Sequence, residues 1–465
     1  MLLTGPDTET PPGSGRSLVG FWVVVFAFTT IMAFTTVPTP LWSLFAQRDR
    51  FSSFTVTIVF GVYALAVALS LFLAGHLSDW DGRRRVLMPA LALQIVAGAV
   101  FLLWPSLPGL LVARVVSGLG IGAVAATAMA WLSELHGKSG RRAQVIATGA
   151  NLGGLGLGGL IAGALVQWAG SPLRVPFIVF SALLVLAWVA LLAAPETRRR
   201  PSPRPRYRPQ RVAVPAGARE SFFAAALGAA IAFAVFGLLT SLAPTFLAQT
   251  LHERSHLLAG AMSFAVFATA ALAQTLTASR PTHQLLAGAI PAALAGLALL
   301  TVAVWLPSPS FGVFLAGDIV VGTGCGLMFK GAISTVSEIS TPDHRAEALA
   351  GVYLASYLGL AGPVIGLGAL TQIASTRVSL LAFTGLLAVG ILIATPVLLE
   401  RGAAHPTSQS RPTPNDGSND EQDRDGDGTQ DHTARPDRPG GHPRRVRRVG
   451  DRRRRLGVRL GSAGR

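Results

Sequence analysis

Twelve apolar runs, each about as long as a bilayer-spanning helix, restrict most strongly how this chain of 465 residues folds. A transmembrane α-helix needs about 20 predominantly apolar residues. With 51% hydrophobic and 13% charged residues, the chain lacks the polar surface of a soluble fold of this size. We therefore predict an all-α integral membrane fold with twelve transmembrane helices. The runs lie at 18–38, 54–75, 86–104, 109–132, 145–168, 175–194, 221–248, 257–279, 285–305, 311–333, 348–373 and 379–399.

Arginine is unevenly distributed among the loops that join these runs. With the N-terminus inside, the inner loops hold the arginine clusters at 83–85 and 198–219. An excess of positive charge is typical of cytoplasmic loops. We therefore predict a multi-pass protein with both termini in the cytoplasm, and we assign the net charge of +16 to this topology and not to a nucleic-acid partner. The scarcity of lysine beside abundant arginine, alanine and glycine is typical of GC-rich bacteria, so we expect a bacterial cytoplasmic membrane. The outer loops hold only Arg48, Arg50, Arg174, Arg254 and Arg377.

A pattern of glycines and charges occurs twice, 204 residues apart. Every spacing is kept between the two copies, and only the first charge changes sign. Parallel repeats of this kind are typical of transporters built from two related halves. The first copy comprises Arg114, Gly118, Gly120, Gly122, Glu134 and Arg141, and the second comprises Asp318, Gly322, Gly324, Gly326, Glu338 and Arg345.

The repeat and the polar stretches between runs divide the chain into five parts. We predict a cytoplasmic N-terminus at 1–17, a six-helix bundle at 18–195, a cytoplasmic central loop at 196–218, a second six-helix bundle at 219–400 and a disordered cytoplasmic tail at 401–465. The central loop and the tail are rich in proline, arginine and other polar residues, and such segments cannot bury enough apolar surface to fold.

The segment between the second and third runs carries the most specific motif. It reads Gly75-His76-Leu77-Ser78-Asp79-Trp80-Asp81-Gly82-Arg83-Arg84-Arg85. It resembles the major facilitator superfamily signature Gly-x-Leu-x-Asp-Arg-x-Gly-Arg-Arg/Lys, although Trp80 replaces the arginine. The resemblance implies two pseudo-symmetric six-helix bundles and a gating role for the segment. An aspartate there can cap a helix N-terminus or pair with arginine when the inner side closes. The gating candidates are Gly75, Leu77, Asp79, Gly82, Arg83, Arg84 and Arg85.

Further charged positions extend the resemblance over roughly residues 18–400. The pairs Glu134…Arg141 and Glu338…Arg345 resemble Glu-x6-Arg pairs of sugar-porter-like members, and Glu196 lies in a similar Pro-Glu-Thr segment. The resemblance implies that these charges hold the cytoplasmic side together in the outward-facing state. Exposed ion pairs contribute only about 0–1 kcal/mol each, so a network is required. The alternative is that they are solvated loop charges.

Three charged residues lie within predicted spans, where a charge is costly and marks a functional candidate. Arg114 precedes Gly118 in a segment similar to the family's helix-4 motif, and we weigh a gating or coupling role against structural pairing. Asp318 is the only carboxylate well inside a span and is the candidate proton site. It could instead form a static pair with Arg114 or lie exposed at the outer rim. Lys330 is roughly 18 Å along the helix from Asp318, too far to neutralise it locally.

Glycines spaced by four residues let helices approach closely. The glycine-rich motif of the fifth run lacks the proline that antiporters of the family carry, whereas the eleventh run has one. The helix-packing candidates are Gly118, Gly122, Gly154, Gly158, Gly322, Gly326, Gly362, Pro363 and Gly366.

The chain shows no phosphate-binding loop and no histidine pair in a zinc-binding context. We therefore predict no enzyme activity and no cofactor, with a proton gradient as the energy source. The predicted function is export of a small organic molecule by a monomeric, proton-coupled carrier in the lipid bilayer. The alternatives are a proton-coupled or facilitative importer of a sugar-like solute and, remotely, a transporter-like sensor that signals through its tail. The polar residues expected to line the pathway are Thr29, Thr30, Thr35, Thr36, Gln94, Asn151 and Gln274.

Overall fold

The computed structural model describes residues 14–75, 77–136, 140–198, 207–215, 217–242, 244, 246–247, 255–341 and 344–403. Within these residues, twelve helical segments are long and apolar enough to cross a membrane, which confirms the predicted all-α membrane fold. They are α1 (Ser17–Asp49), α2 (Ser53–Ala74), α3 (Arg83–Leu103), α4 (Leu107–His136), α5 (Arg142–Trp168), α6 (Val175–Ala193), α7 (Arg219–Ser241), α8 (His256–Leu276), α9 (Thr282–Trp305), α10 (Phe311–Ile339), α11 (Arg345–Leu370) and α12 (Thr376–Leu399).

Proline and glycine interrupt several of these segments. In α1 a helix at Ser14–Thr36 is followed by a 3-10 turn at Thr39–Leu41 and a helix at Trp42–Asp49, because Pro38 and Pro40 cannot donate helical hydrogen bonds. The other interruptions fall at glycine-rich sequence or near helix ends. They divide α4 into Leu107–Ile121 and Val124–His136, divide α5 into Gly140–Thr148, a π-turn at Gly149–Gly153 and Gly154–Trp168, and end α6 with a 3-10 turn at Leu191–Ala193. A short helix, Leu77–Asp81, precedes α3, and α12 continues to Ala403.

Helices α1–α6 enclose one large apolar core, and helices α7–α12 enclose a second. The two bundles meet where α2 packs against α11 and where α5 packs against α8. A small apolar cluster of Phe60, Ala64, Leu360, Ala361 and Val364 lies between α2 and α11. The end of the bundles at which residues 196–218 connect α6 to α7 is called the linker end here, and the opposite end is called the far end. The predicted N-terminal residues 1–13 and tail residues 404–465 lie outside the described residues.

Candidate functional site

A cavity of about 940 Å³ lies at the linker end. Its walls come from α2 and α4 of the first bundle, from α11 of the second, and from linker residues 208–211. Ligand sites of transporters lie at the interface between structural repeats, where both halves can contact the ligand. The cavity has that position. Its polar and aromatic lining residues are Trp80, Arg208, Gln210, Arg211, Glu347, Tyr353 and Tyr357.

The far end of the two bundles is tightly packed. A Cβ atom at Gly61 of α2 would lie 2.5 Å from Cδ1 of Ile365 on α11, so a larger residue there would require the Ile365 side chain to move. On the other side, the backbones of α5 and α8 touch at Gly159 and Gly260. The Gln167 side chain of α5 also accepts a hydrogen bond from the backbone N–H of His256, at 3.1 Å, where α8 begins. The structure is therefore closed at the far end and has a cavity at the linker end.

A polar network joins α3, α4 and α6 at the linker end. The Glu196 carboxylate accepts hydrogen bonds from the backbone N–H groups of Arg83 (2.8 Å) and Arg84 (3.0 Å), the first residues of α3. The Arg83 side chain in turn forms an ion pair with Glu134 of α4, with 2.8 Å between Nη2 and Oε1. The Thr197 hydroxyl also donates a hydrogen bond to Glu134. These contacts join the first two residues of the linker to helices of the first bundle.

Gly82 makes this arrangement possible. Its φ is +103°, a conformation that favours glycine, and a Cβ atom there would lie 2.7 Å from Glu196 Oε2. Among the other motif residues, Arg84 donates to the Leu192 carbonyl at 3.2 Å, and Gly75 lines the cavity. Leu77 begins the short helix before α3, and Arg85 donates to the Asp81 carbonyl at 3.5 Å. The side chains of Asp79 and Arg141 lie outside the described part of the chain.

The glutamate of the second Glu-x6-Arg pair contacts the start of α9 in this structure. No ion pair joins Glu338 to Arg345, although both lie among the described residues, and Glu338 Oε1 instead accepts a hydrogen bond from Thr282 Oγ1 at 2.5 Å. Thr282 begins α9 as Arg83 begins α3. The glutamate at the end of α10 thus meets the start of α9 just as Glu134 meets the start of α3. Sequence spacing did not reveal this contact because the partner lies 56 residues away along the chain.

The two copies of the glycine pattern make equivalent contacts. In the first copy, a Cβ at Gly118 would lie 2.6 Å from Ala66 Cβ of α2, and a Cβ at Gly120 would lie 2.6 Å from Gln94 Nε2 of α3. In the second copy, a Cβ at Gly322 would lie 2.5 Å from Thr269 Oγ1 of α8, whereas Gly324 faces α9. Helices α4 and α10 are therefore each wedged between two neighbours. Gly122 and Gly326 extend the α2 and α8 contacts, and Gly154 and Gly158 let α5 approach α1.

The packing role expected for Gly362 and Gly366 in α11 is wrong. A Cβ atom at either position would meet nothing within 4 Å, and the neighbouring Pro363 lies inside a continuous helix. Close approaches of α11 occur at other glycines, among them Gly359 against Ala230 of α7 and Gly368 against Thr57 of α2. Gly359 and Gly366 lie seven residues apart on nearly the same face of the helix, so spacing alone does not show at which position along the helix a neighbour approaches closely.

Arg114 lies in an aromatic cage. Its side chain is 1% exposed, Nη1 donates to the Thr35 carbonyl at 3.0 Å, and its guanidinium carbon lies 4.9 Å from the Trp42 ring and 5.0 Å from the Tyr63 ring. Cation–π contacts of this kind stabilise a desolvated guanidinium. No motif predicted the cage, because its aromatic residues come from α1 and α2.

Asp318 is fully buried, which rules out the outer-rim alternative, and both its carboxylate oxygens lack a hydrogen-bond partner among the described residues. The static pair with Arg114 is therefore not formed. Lys330 instead donates hydrogen bonds to the carbonyls of Gln274 (2.7 Å) and Thr277 (2.8 Å), where α8 ends. Of the three intramembrane charges, only Asp318 is left without a polar contact.

The polar residues expected to line the pathway do not line this cavity. Several of them hold helices together instead. Gln94 exchanges hydrogen bonds with Ser117 between α3 and α4, Thr36 donates to the Leu155 carbonyl of α5, and Gln274 donates to the Gly326 carbonyl of α10. A buried amide or hydroxyl needs a partner, and here the neighbouring helix provides it.

Comparison with known proteins agrees with this architecture. The family model described as Major Facilitator Superfamily matches residues 19–305. The fold is similar to the crystal structure of the human organic anion transporter MFSD10 (TETRAN), with 18% identity, a TM-score of 0.58 and coverage of 82% of this chain and 100% of that one. It is also similar to a mutant of the nucleoside transporter NupG, with 13% identity, a TM-score of 0.61 and coverage of 82% and 99%. No curated protein matches the sequence significantly.

These identities establish a shared fold and no shared substrate. The family match covers more than half of the chain, and it falls on helices whose number and apolar character are those of a membrane carrier. This multi-pass membrane protein is therefore a transporter that belongs to the Major Facilitator Superfamily.

Proposed function

We propose that the protein is a secondary active transporter that works by alternating access and exports a small organic molecule in exchange for protons. The observation that carries this proposal is the asymmetry between the two ends: a cavity of about 940 Å³ at the linker end and packed helices at the far end. A carrier that exposes its site to one side at a time has this form. We place it in a bacterial cytoplasmic membrane as a monomer without a cofactor.

The distribution of arginine indicates which end of the protein faces the cytoplasm. Positive loops face the cytoplasm, so we place the linker end and both termini there and describe the structure as inward-facing. In that state the cavity receives its substrate from the cytoplasm. The cavity is lined mostly by apolar and aromatic side chains, and such a lining favours organic molecules over small inorganic ions.

Asp318 is the proposed coupling residue. It lies seven residues from the start of α10, roughly 10 Å below the far end. An ionised carboxylate without a partner is costly to bury, so the neutral acid suits the closed arrangement. Opening of the far end would bring water to this depth and allow the proton to exchange with the outer side. In the antiport cycle, Asp318 takes up a proton from the outer side after substrate is released there, and it gives that proton up to the cytoplasm when the next substrate binds from inside.

Reconstitution into proteoliposomes tests the proposal. Substrate-induced proton flux would be measured with a panel of lipophilic drugs and simple sugars, for wild type, Asp318→Asn and the control Glu220→Gln, which alters an exposed carboxylate. We expect flux with drugs, its loss in Asp318→Asn and its retention in Glu220→Gln. Unchanged flux in Asp318→Asn would contradict the role of Asp318 while leaving the carrier assignment in place.

An importer of a sugar-like solute is the second candidate. The same panel distinguishes it, because sugars and not drugs would then induce proton flux. The resemblance of the Glu-x6-Arg pairs to those of sugar-porter-like members favours this candidate, and in the present structure Glu338 contacts Thr282. A sensor that signals through the tail is the remote alternative. Deletion of residues 401–465 would leave transport intact in either carrier and would abolish signalling in a sensor.

A further inference from the structure

The linker segment at residues 207–215, called the strap here, is bound to both bundles. On the first bundle, the Gln210 backbone N–H donates to the Phe72 carbonyl at 2.8 Å, and the Tyr207 hydroxyl donates to the Leu73 carbonyl at 2.9 Å, both where α2 ends. On the second bundle, the Ala213 N–H donates to the Glu347 carbonyl of α11 at 3.4 Å. The strap is thus part of the folded structure and crosses the linker end between α2 and α11.

Two side chains of the strap also pack against the second bundle. A Cβ atom at Gly351 would lie 2.9 Å from Cγ1 of Val212, so the valine occupies the space that glycine leaves on the helix surface. Val214 packs against the apolar cluster formed by α7, α9, α10, α11 and α12. A connector that only had to span the two bundles would need none of these contacts.

The strap supplies the positive charge of the cavity. Residues 208–211 form part of the wall, and they include Arg208 and Arg211. Among the described residues that line the cavity, Glu347 is the only carboxylate, which leaves a net charge of +1. No ion pair between Glu347 and either arginine is formed among the described residues. The guanidinium groups are therefore available to a ligand.

The other walls are apolar and aromatic. Trp80, Tyr353 and Tyr357 line the cavity beside aliphatic residues of α2, α4 and α11. Aromatic side chains hold flat organic ligands through stacked or edge contacts. Guanidinium groups bind carboxylates and sulfonates in a planar, two-point geometry. A ligand with an aromatic body and one anionic group matches both parts of the wall.

We infer that the cavity takes aromatic organic anions, and that the strap is the element that selects them, with Arg208 and Arg211 as the anion-binding residues. This inference rests on the proposed function in one respect only, which is that the cavity is the substrate site. An aromatic cation would have to rely on Glu347 against two arginines. A neutral ligand would leave the arginines without a counter-charge.

A set of three naphthyl probes of similar size, one anionic, one neutral and one cationic, tests the charge preference. Equilibrium binding of 1-naphthoate, 1-naphthamide and 1-naphthylmethylammonium would be measured with the full-length protein in lipid nanodiscs, which leave the linker end accessible. We expect naphthoate to bind most tightly, and we expect its affinity to fall as salt concentration rises, because exposed charges are screened. Tighter binding of the ammonium compound, or no binding of naphthoate at millimolar concentration, would overturn the inference.

Matched variants locate the site. In the double variant Arg208→Gln/Arg211→Gln we expect naphthoate affinity to fall about tenfold or more, as loss of charged hydrogen bonds implies, while naphthamide affinity stays the same. The control Arg198→Gln/Arg219→Gln removes the same charge from two exposed residues that do not line the cavity, one in the linker and one at the start of α7, and should bind like wild type. Glu347→Gln should bind naphthoate more tightly. Equal affinities in both double variants would overturn the assignment.

The binding readout separates this inference from the proposed transport cycle. Anion binding with the expected variant pattern, but without substrate-induced proton flux in proteoliposomes, would contradict antiport and leave the anion site standing. Proton-coupled transport of neutral or cationic compounds, unaffected by Arg208→Gln/Arg211→Gln, would contradict the anion site and leave antiport standing. The unfolding temperature of each variant shows whether its fold is intact.

Discussion

The carboxylate of Glu196 accepts a hydrogen bond from the backbone N–H of Arg83 across 113 residues of chain, with 2.8 Å between the two atoms. The first N–H groups of a helix have no partner within the helix and carry the positive end of its dipole. A carboxylate placed there satisfies both needs. The end of α6 thereby caps the start of α3, and the Pro-Glu-Thr segment and the arginine motif act as one structural unit.

Loss of this cap should destabilise the first bundle. We expect Glu196→Ala to lower the free energy of unfolding by about 1–2 kcal/mol, and Glu196→Gln, which keeps one acceptor oxygen, to lower it less. Chemical denaturation in detergent micelles measures both. Equal stability of wild type and Glu196→Ala would show that the cap contributes nothing.

Gly82 should tolerate no side chain while Glu196 is present. The backbone conformation of Gly82 alone (φ 103°, ψ 156°) costs a residue other than glycine about 1–3 kcal/mol, and the Cβ would also displace the carboxylate. We expect Gly82→Ala to be strongly destabilised and the double variant Gly82→Ala/Glu196→Ala to lose less than the sum of the two single changes. Gly385→Ala, where a Cβ meets nothing within 4 Å, is the control. Additive losses would contradict the contact.

The glycine contacts predict opposite results in α10 and α11. Gly324→Ala drives a methyl group into the backbone of α9 and should cost about 1–3 kcal/mol. Gly362→Ala and Gly366→Ala place theirs in open space and should fold as well as wild type. The unfolding temperature in nanodiscs measures the difference, which would vanish if α10 were free to move away from α9.

Arg114→Lys should not behave as a conservative change. An ammonium group cannot stack over Trp42 and Tyr63 as the guanidinium does, so we expect a loss of about 1–2 kcal/mol in stability. Paired stability and transport measurements separate the two roles considered for Arg114. Stability lost together with transport indicates a structural cage, whereas transport lost at wild-type stability indicates gating or coupling.

The hydrogen bond from the His256 N–H to Gln167 should favour the state closed at the far end. A hydrogen bond contributes about 0.5–1.5 kcal/mol net. In Gln167→Leu the equilibrium should therefore shift by up to about tenfold toward the state that is open at the far end. The reporter is a cysteine introduced at the cavity residue Ala346 in a Cys325→Ser background. It should react more slowly with a maleimide in Gln167→Leu, because the linker end is closed in a larger fraction of the molecules. Gln284→Leu, at the linker end, is the control. An unchanged rate in Gln167→Leu would contradict the role of this contact.

Part of the site follows from the sequence because it is local. The helix-start motif around Gly82 and Arg83, the buried charges Arg114 and Asp318, and the repeated glycines of α4 and α10 are recognisable from residue type and spacing. The partners of Glu134 and Glu338, the aromatic cage of Arg114 and the arginines of the strap are not. Each depends on a neighbour from a distant part of the chain, and spacing along one helix contains no information about that neighbour.

By itself, the sequence determined the number of membrane spans, because apolar length is a property of each segment alone. It also determined the two-half organisation of the glycine faces, because a repeated spacing gives a repeated surface. Only the tertiary structure decided which end is closed and what lines the cavity. Those features depend on how α2 meets α11, how α5 meets α8 and where the strap crosses between bundles. Packing between helices far apart in sequence sets them, and that packing is a property of the assembled fold.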